Sequence, residues 1–595
     1  MEQILQQYFG YSSFRPLQKE IITDILQGQD VLAVMPTGSG KSICYQIPAL
    51  LHPKQTTIVI SPLIALMKDQ VDGLRQNGVH AAFLNSSLSS FEQDEVKQQL
   101  LDQKLSLLYI APERLAQTSF LAFLKNINIH LFAIDEAHCI SEWGHDFRPD
   151  YRELKKLRDL FPTTPILALT ATATTQVKVD IEKQLSLQQA KKYQASFDRS
   201  NLIYTVLQKQ RSSEQIVDFV RKHAGESGII YCQSRKDVDA LAEHLQKNTI
   251  KALSYHAGLP TETRQKHQEM FIKEDVDIIV ATIAFGMGID KSNVRFVIHA
   301  DLPKSIEGYY QETGRAGRDG LPSECILLYS YADKRKSEFF ILQKEGQQQE
   351  IAYKQLDDMI RFAKSIKCRR ISLLSYFDEE YTKENCKACD NCLTPKEMFD
   401  ATIVAQKILS CVYRVDERFG MKHIIAILTG AASERITNLG HNRLSTYGIV
   451  KDYTDQQIQT IIQELIDADF LQIEGTQYPV VKLTEKSTGV LRQKTQVFLP
   501  KLQVKEPRKK KQKLFASNVD QDLFEKLRIL RKQLADQQSV PPYVVFPDVS
   551  LHEMATYLPQ NKTDFKKITG VGEKKLETYG EIFIKEIKKY SVKEF

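Results

Sequence analysis

A single tryptophan, Trp143, stands in a chain of 595 residues. Glycine (26) and proline (20) are sparse, which excludes collagen-like and low-complexity architectures. No apolar run approaches the length that spans a bilayer, so no membrane is expected as a partner. The first residues, Met1-Glu2-Gln3-Ile4-Leu5, lack the basic-then-apolar pattern of a secretory signal. A cytoplasmic protein without structural disulfides is therefore expected. Neither charge sign dominates: 80 Lys and Arg against 74 Asp and Glu leave +6, too little to argue nucleic-acid binding alone. With 42% hydrophobic and 26% charged residues, the chain reads as globular. Its length calls for about four domains. The nine cysteines are unevenly spread. Cys44, Cys139, Cys232, Cys325 and Cys411 are isolated, whereas Cys368, Cys386, Cys389 and Cys392 crowd together.

Short apolar runs alternate with amphipathic segments through the first part of the chain. Val31–Met35, Thr57–Ser61, Leu105–Ile110, Leu131–Ile134 and Ile166–Thr170 read as buried strands of a doubly wound parallel sheet over residues 1–205. Gly228–Cys232, Ala252–Tyr255, Asp277–Thr282, Val294–His299 and Cys325–Tyr329 repeat the pattern over 206–340. Two such units suggest two α/β lobes around a cleft. A helical segment with the cysteine cluster follows (341–398), then helices and short strands (399–500), a linker (501–514) and a small helical unit (515–595). Lys501–Lys513 holds seven basic residues and one acid, the mark of an exposed linker.

Met35-Pro36-Thr37-Gly38-Ser39-Gly40-Lys41-Ser42 follows a strand and opens a helix, as a phosphate-binding loop does. Methionine replaces the usual first glycine. Gly38 and Gly40 still let amides turn toward phosphates, Lys41 offers a point charge, and the Ser42 hydroxyl suits Mg²⁺. Asp135-Glu136-Ala137-His138 comes straight after an apolar strand, where open parallel sheets bind ligands. Asp135 is the candidate Mg²⁺ holder, and Glu136 the residue that activates water. Arg315 and Arg318 lie three apart, a spacing that predicts one helix face, from which both reach a γ-phosphate across the cleft. After the acids, Cys139–Pro149 interleaves aromatics and cations: Trp143, His145, Phe147 and Arg148 suit base stacking and phosphate contact. Four soft thiolates at 368, 386, 389 and 392 suit tetrahedral Zn²⁺, with an iron–sulfur cluster as the rival reading of the residues alone.

Asp135-Glu136-Ala137-His138 resembles the signature of superfamily 2 helicases, and the flanking motifs resemble the RecQ family of DNA helicases over nearly the whole chain. The resemblance implies two RecA-like motor lobes, a helical zinc-binding segment, a winged helix and a helical HRDC-like C-terminal domain. It implies adenine recognition by Tyr11, Arg15 and Gln18, with Thr37 part of the phosphate loop. It also implies lobe closure through Gly288 and Asp290 in Phe285–Asp290, and a structural zinc site. His138, Thr170 and Thr172 are implied as a relay between DNA and ATP. Arg235 and Thr282, with Ser61-Pro62-Leu63 and Ala111–Arg114, are implied as backbone grips. Residues 420–448 resemble the winged helix, and 470–483 suggest its wing, turning at Glu474–Gln477. In the C-terminal unit basic residues barely outnumber acidic ones, so any DNA binding there needs a local patch. The implied activity is 3′-to-5′ ATP-dependent unwinding of duplex or branched DNA in recombination, repair and fork processing. The implied partners are single-stranded and duplex or branched DNA, with single-strand-binding protein and other recombination proteins, for a monomer. The alternative is an ATPase scaffold that remodels bound DNA or protein without unwinding.

Overall fold

The computed structural model describes residues 1–62, 64–144, 146–286, 291–394, 397–474, 480–501 and 520–593. His145, Gly288, Asp290, Leu63, most of the basic linker and the turn of the wing lie outside the described residues. The chain divides into two units, Met1–Asp390 with Phe515–Phe595, and Asn391–Leu514.

The first sheet has seven parallel strands. They are β1 (Val31–Val34), β2 (Thr56–Ile60), β3 (Ala81–Leu84), β4 (Leu107–Ile110), β5 (Ile129–Ile134), β6 (Ile166–Thr170) and β7 (Lys191–Gln194), in the order β3-β4-β2-β5-β6-β1-β7. β1, β2, β4 and β6 are buried at every position, the continuous apolar run that a sheet covered on both faces requires. β7 is the exception, an edge strand of sequence Lys-Lys-Tyr-Gln with mostly exposed side chains.

The second sheet has six parallel strands: β8 (Leu202–Gln208), β9 (Ser227–Tyr231), β10 (Ala252–Tyr255), β11 (Ile278–Ala281), β12 (Val294–His299) and β13 (Ser323–Tyr329). Their order is β10-β11-β9-β12-β13-β8. β8 crosses the expected lobe boundary at 205/206 and pairs along its whole length with β13. The second lobe therefore begins before Leu202. The cysteine-bearing segment continues this sheet at its edge: Tyr204 bridges to Cys389, and its N–H donates to Ala388 O at 3.1 Å.

The C-terminal helical domain packs around Leu527, Phe546, Leu551, Phe565 and Phe583. It touches both lobes. Gly570 N–H donates to Gly10 O (3.2 Å) and Tyr579 OH to Gln76 (3.4 Å) on the first lobe. Lys532 donates to Asp275 (2.8 Å), and Arg531 reaches Glu274 (3.3 Å), on the second. Arg531, Lys291, Glu274 and Asp548 form a buried four-charge cluster there.

The second unit carries helices Thr402–Arg414, Met421–Thr429 and Asp455–Asp467. β14 (Met398–Asp400) pairs antiparallel with β17 (Phe498–Pro500), and β15 (Leu471–Glu474) with β16 (Val480–Leu483). The β15–β16 hairpin occupies the stretch expected to be the wing. Among the described residues no helix is long and apolar enough to cross a membrane.

Candidate nucleotide site, coupling loop and metal centre

The loop from Met35 to Ser42 leaves the end of β1 and enters helix Ile43–Leu51. Gly38 (φ +82°) and Gly40 (φ +80°) take left-handed conformations that the β-carbon of other residues resists, so this tight turn needs both glycines. The Lys41 ammonium donates back to Met35 O at 3.3 Å. The Gln18 amide donates to Gly40 O (2.9 Å) and Ser39 O (3.2 Å) and accepts from Arg15 N–H (2.9 Å). Arg15 itself donates to Gly38 O. Two of the residues expected to read adenine, Arg15 and Gln18, thus grip the phosphate loop.

Asp135 sits at the carboxyl end of β5, its N–H bonded to Ile60 O at 2.9 Å. Burial and the neighbouring Glu136 push its carboxyl up to about 7, against the pull of Lys41. Glu136 is a non-glycine residue in the left-handed region (φ +48°), strain of a kind that gathers at functional sites. Arg315 and Arg318 do not share a helix face, contrary to their spacing. Helix Ile306–Thr313 stops before them, and both lie in the turns around Gly317 (φ +57°). A β-carbon on Gly317 would meet Asn201 Nδ2 at 2.4 Å, so the turn closes directly onto that side chain.

One cavity of about 420 Å³ collects Tyr11, Arg15, Gln18, Thr37, Gly38, Gly40, Lys41, Ser42, Asp135 and Glu136 from the first lobe. Arg315 and Arg318 enter it from the second lobe. The C-terminal domain supplies a third wall through Tyr543, Val544, Pro547, Gly570 and Lys575. Burial pushes the Lys575 ammonium down to about 8, and the Phe546 ring lies 5.9 Å away. Nothing in the sequence pointed to this wall, because its partners lie hundreds of residues away. Sequence reasoning also missed Arg199, which donates to Thr37 O in the phosphate loop and to Gly317 O (2.9 Å) beside the arginines. A lone arginine between strands gives no pattern to find.

A polar chain leads away from Glu136. His138 Nδ1 lies 3.3 Å from the Glu136 carboxylate and 2.8 Å from Thr170 Oγ1, and Thr170 Oγ1 donates to Thr172 O (3.1 Å). All three of His138, Thr170 and Thr172 are buried. Cys139 Sγ contacts Asp146 (3.7 Å), Asp146 pairs with Arg148 (2.9 Å), and Arg148 donates to Pro62 O (2.8 Å). Gly144 tucks against His138, where a β-carbon would meet the carbonyl oxygen at 2.6 Å. Trp143 projects from this loop, 40% exposed, and Phe147 lies under the Arg152 guanidinium. The expected coupling residues are thus contiguous with the acids. Arg235 (exposed, opening helix Arg235–Lys247) and Thr282 (following β11) lie apart, at the ends of second-lobe strands.

The sulfurs of Cys368, Cys386, Cys389 and Cys392 all lie within 4.8 Å of one another. A tetrahedral Zn²⁺ with four thiolates at about 2.3 Å needs sulfurs about 3.8 Å apart, a spacing this set accommodates. An iron–sulfur cluster spreads its thiolates wider. Backbone N–H groups of Arg369 and Ala388 point at Cys389 Sγ (3.5 Å) and Cys386 Sγ (3.4 Å), as ligand-orienting partners do.

Comparison with known proteins accounts for this assembly part by part. Residues 15–179 match the DEAD/DEAH box helicase family and 209–320 the helicase conserved C-terminal domain. Residues 331–393 match the RecQ zinc-binding domain, 395–509 the RQC domain and 520–587 the HRDC domain. The ATP-dependent DNA helicase RecQ of Haemophilus influenzae is 46% identical over 98% of this chain and 94% of its own length. The chain belongs to the RecQ family of DNA helicases. The Bacillus subtilis RecQ helicase is 42% identical over 99% of this chain and 98% of its own. This RecQ chain is an ATP-dependent DNA helicase with a zinc-binding domain, and its helicase domains bind DNA.

Proposed function

We propose that this RecQ helicase moves 3′-to-5′ along single-stranded DNA and opens duplex and branched DNA in recombination, repair and fork processing. The observation that carries the reading is one cavity walled by Lys41, Ser42, Asp135 and Glu136 on one lobe and Arg315 and Arg318 on the other. In this reading Arg15 and Gln18 turn from the phosphate loop to adenine when nucleotide enters, and Tyr11 stacks on the base. Gly38, Gly40 and Lys41 cradle the phosphates, and Glu136 orients the attacking water. Ser42 and Asp135 would hold Mg²⁺, which would supply positive charge at the phosphate oxygens. Arg315 and Arg318 stabilise the charge on the transferring group. The strand stacks on Trp143 and Phe147 with Arg148, His145, Arg235 and Thr282 along its backbone. His138, Thr170 and Thr172 carry its presence to Glu136. Gly288 and Asp290 belong to the segment that closes the second lobe.

We further propose a monomer in the cytoplasm, associated with the nucleoid and working with single-strand-binding protein. The test is strand displacement on 3′-tailed and 5′-tailed duplexes. The wild-type protein is expected to open only the 3′-tailed substrate, and Lys41→Ala neither. Opening of the 5′-tailed duplex alone reverses the polarity. ATPase without displacement on either substrate favours the remodelling scaffold.

A further inference from the structure

Between β7 and β8 the chain passes from one lobe to the other, and this crossing is clamped on both sides of Arg199. Before it, Phe197 is buried, stacked on Phe377 with ring centroids 4.4 Å apart, and its carbonyl accepts from Tyr310 OH at 2.8 Å. Asp198 is held by Arg370. After it, Asn201 Nδ2 donates to Gly317 O and Leu321 O, both at 2.9 Å. The backbone therefore fixes where the Arg199 side chain starts.

The guanidinium ends among four main-chain carbonyls. Nη1 donates to Thr37 O in the phosphate loop and faces Gly314 O at 3.4 Å. Nη2 donates to Ala316 O (3.1 Å) and Gly317 O (2.9 Å). Thr37 belongs to the first lobe, and the other three flank Arg315 and Arg318. The two backbones are close at this point: a β-carbon on Gly314 would sit 3.3 Å from Thr37 Cβ, and one on Gly38 3.3 Å from Arg199 Nη1. Arg199 thus touches the phosphate loop and the arginine turn at once.

We infer that Arg199 is a positioning residue for hydrolysis, a latch that sets the turn bearing Arg315 and Arg318 against the phosphate loop. The inference rests on the reading of the shared cavity as the ATP site. The geometry needs a planar fork with donors on two nitrogens, which lysine does not offer. The surroundings also suit a latch that works best with nucleotide present. Burial pushes the guanidinium below its ordinary range, and Arg318 adds to that push. A polyphosphate beside Thr37 supplies the compensating negative charge. Arg199 itself makes no contact with the reacting atoms in this account. It acts through the main-chain carbonyls of Gly314, Ala316 and Gly317, which flank Arg315.

The experiment is steady-state ATPase of the full chain with saturating single-stranded DNA, read alongside binding of a non-hydrolysable ATP analogue and of ADP with aluminium fluoride. Arg199→Met is expected to bind the ATP analogue nearly as wild type. Its kcat is expected to fall about 100-fold, as small misplacements of catalytic groups do, with KM little changed. Trapping of ADP–aluminium fluoride, which needs the arginines in place, is lost. Arg199→Lys is expected to resemble Arg199→Met. The inference is overturned if Arg199→Lys turns over at the wild-type kcat, or if the whole loss falls on KM and analogue binding. It is also overturned if the thermal midpoint falls in step with activity. An inactive wild-type protein refutes the cavity reading instead, and Lys41→Ala, which loses hydrolysis with Arg199 intact, separates the two failures.

Discussion

Glu274→Gln tests whether the buried charge cluster between the second lobe and the C-terminal domain holds them together. The Glu274 side chain is 7% exposed and lies 3.4 Å from Lys291 and 3.3 Å from Arg531, both fully buried. Burial alone would raise its carboxyl, but Lys291 and Arg531 overcome that and hold it down to about 2. The gap between about 2 and the ordinary 4.5 corresponds to about 3 kcal/mol of stability at neutral pH. That figure agrees with the loss of about 3–5 kcal/mol when one partner of a buried pair is removed. Glutamine keeps the shape and removes the charge, so the cost falls on the electrostatics. The sign follows from the lowered carboxyl: the contribution is complete above about pH 4.5 and is lost as pH falls toward 2. Thermal unfolding of the full chain at pH 7 is expected to show an earlier first transition for the variant. Toward pH 2 the two proteins converge. Equal midpoints at pH 7, or a difference that persists unchanged at the acid end, would refute the argument.

Cys389→Ser is expected to lower bound zinc and to destabilise the chain, because metal binding at such a site is itself folding free energy. Zinc content by atomic absorption, with the unfolding midpoint, checks it; full stability without metal contradicts a structural site. Trp143→Ala is expected to bind nucleotide normally but lose stimulation of ATP hydrolysis by single-stranded DNA; undiminished stimulation removes the loop from the coupling. Gly228→Ala would place a β-carbon 2.0 Å from the Phe296 ring and is expected to cost about 1–3 kcal/mol by overpacking, read by denaturant unfolding.

The sequence disclosed most of both sheets because parallel strands buried on two faces are short, apolar and unbroken. Ile166–Thr170, Ala252–Tyr255 and Val294–His299 match their strands residue for residue. What it hid has physical causes. β7 is polar because it lies at an edge, so its composition imitates a loop. β8 carries a plain strand pattern, but its membership of the second sheet depends on pairing with β13, more than a hundred residues later. The helix expected under Arg315 and Arg318 fails because Gly314 and Gly317 end it, and a spacing of three fits a turn as well as a helix. The acids, the glycine loop and the four cysteines were legible because their chemistry is local. Arg199 and the Lys575 wall were not, since each gains its meaning from a distant partner.

The bridge between Tyr204 and Cys389 gives the zinc segment a protective duty. β8 is the last strand of the second sheet, and beyond it an unpaired row of N–H and C=O groups would face outward. The cysteine segment occupies part of that row, and its seat is secured by the metal. Stripping the ion therefore uncovers an adhesive strand edge that can recruit a second molecule. Metal-depleted protein should clump, and should do so faster as its concentration rises. Light scattering after chelation reads that behaviour directly, and a purification buffer that scavenges zinc would select against the soluble enzyme.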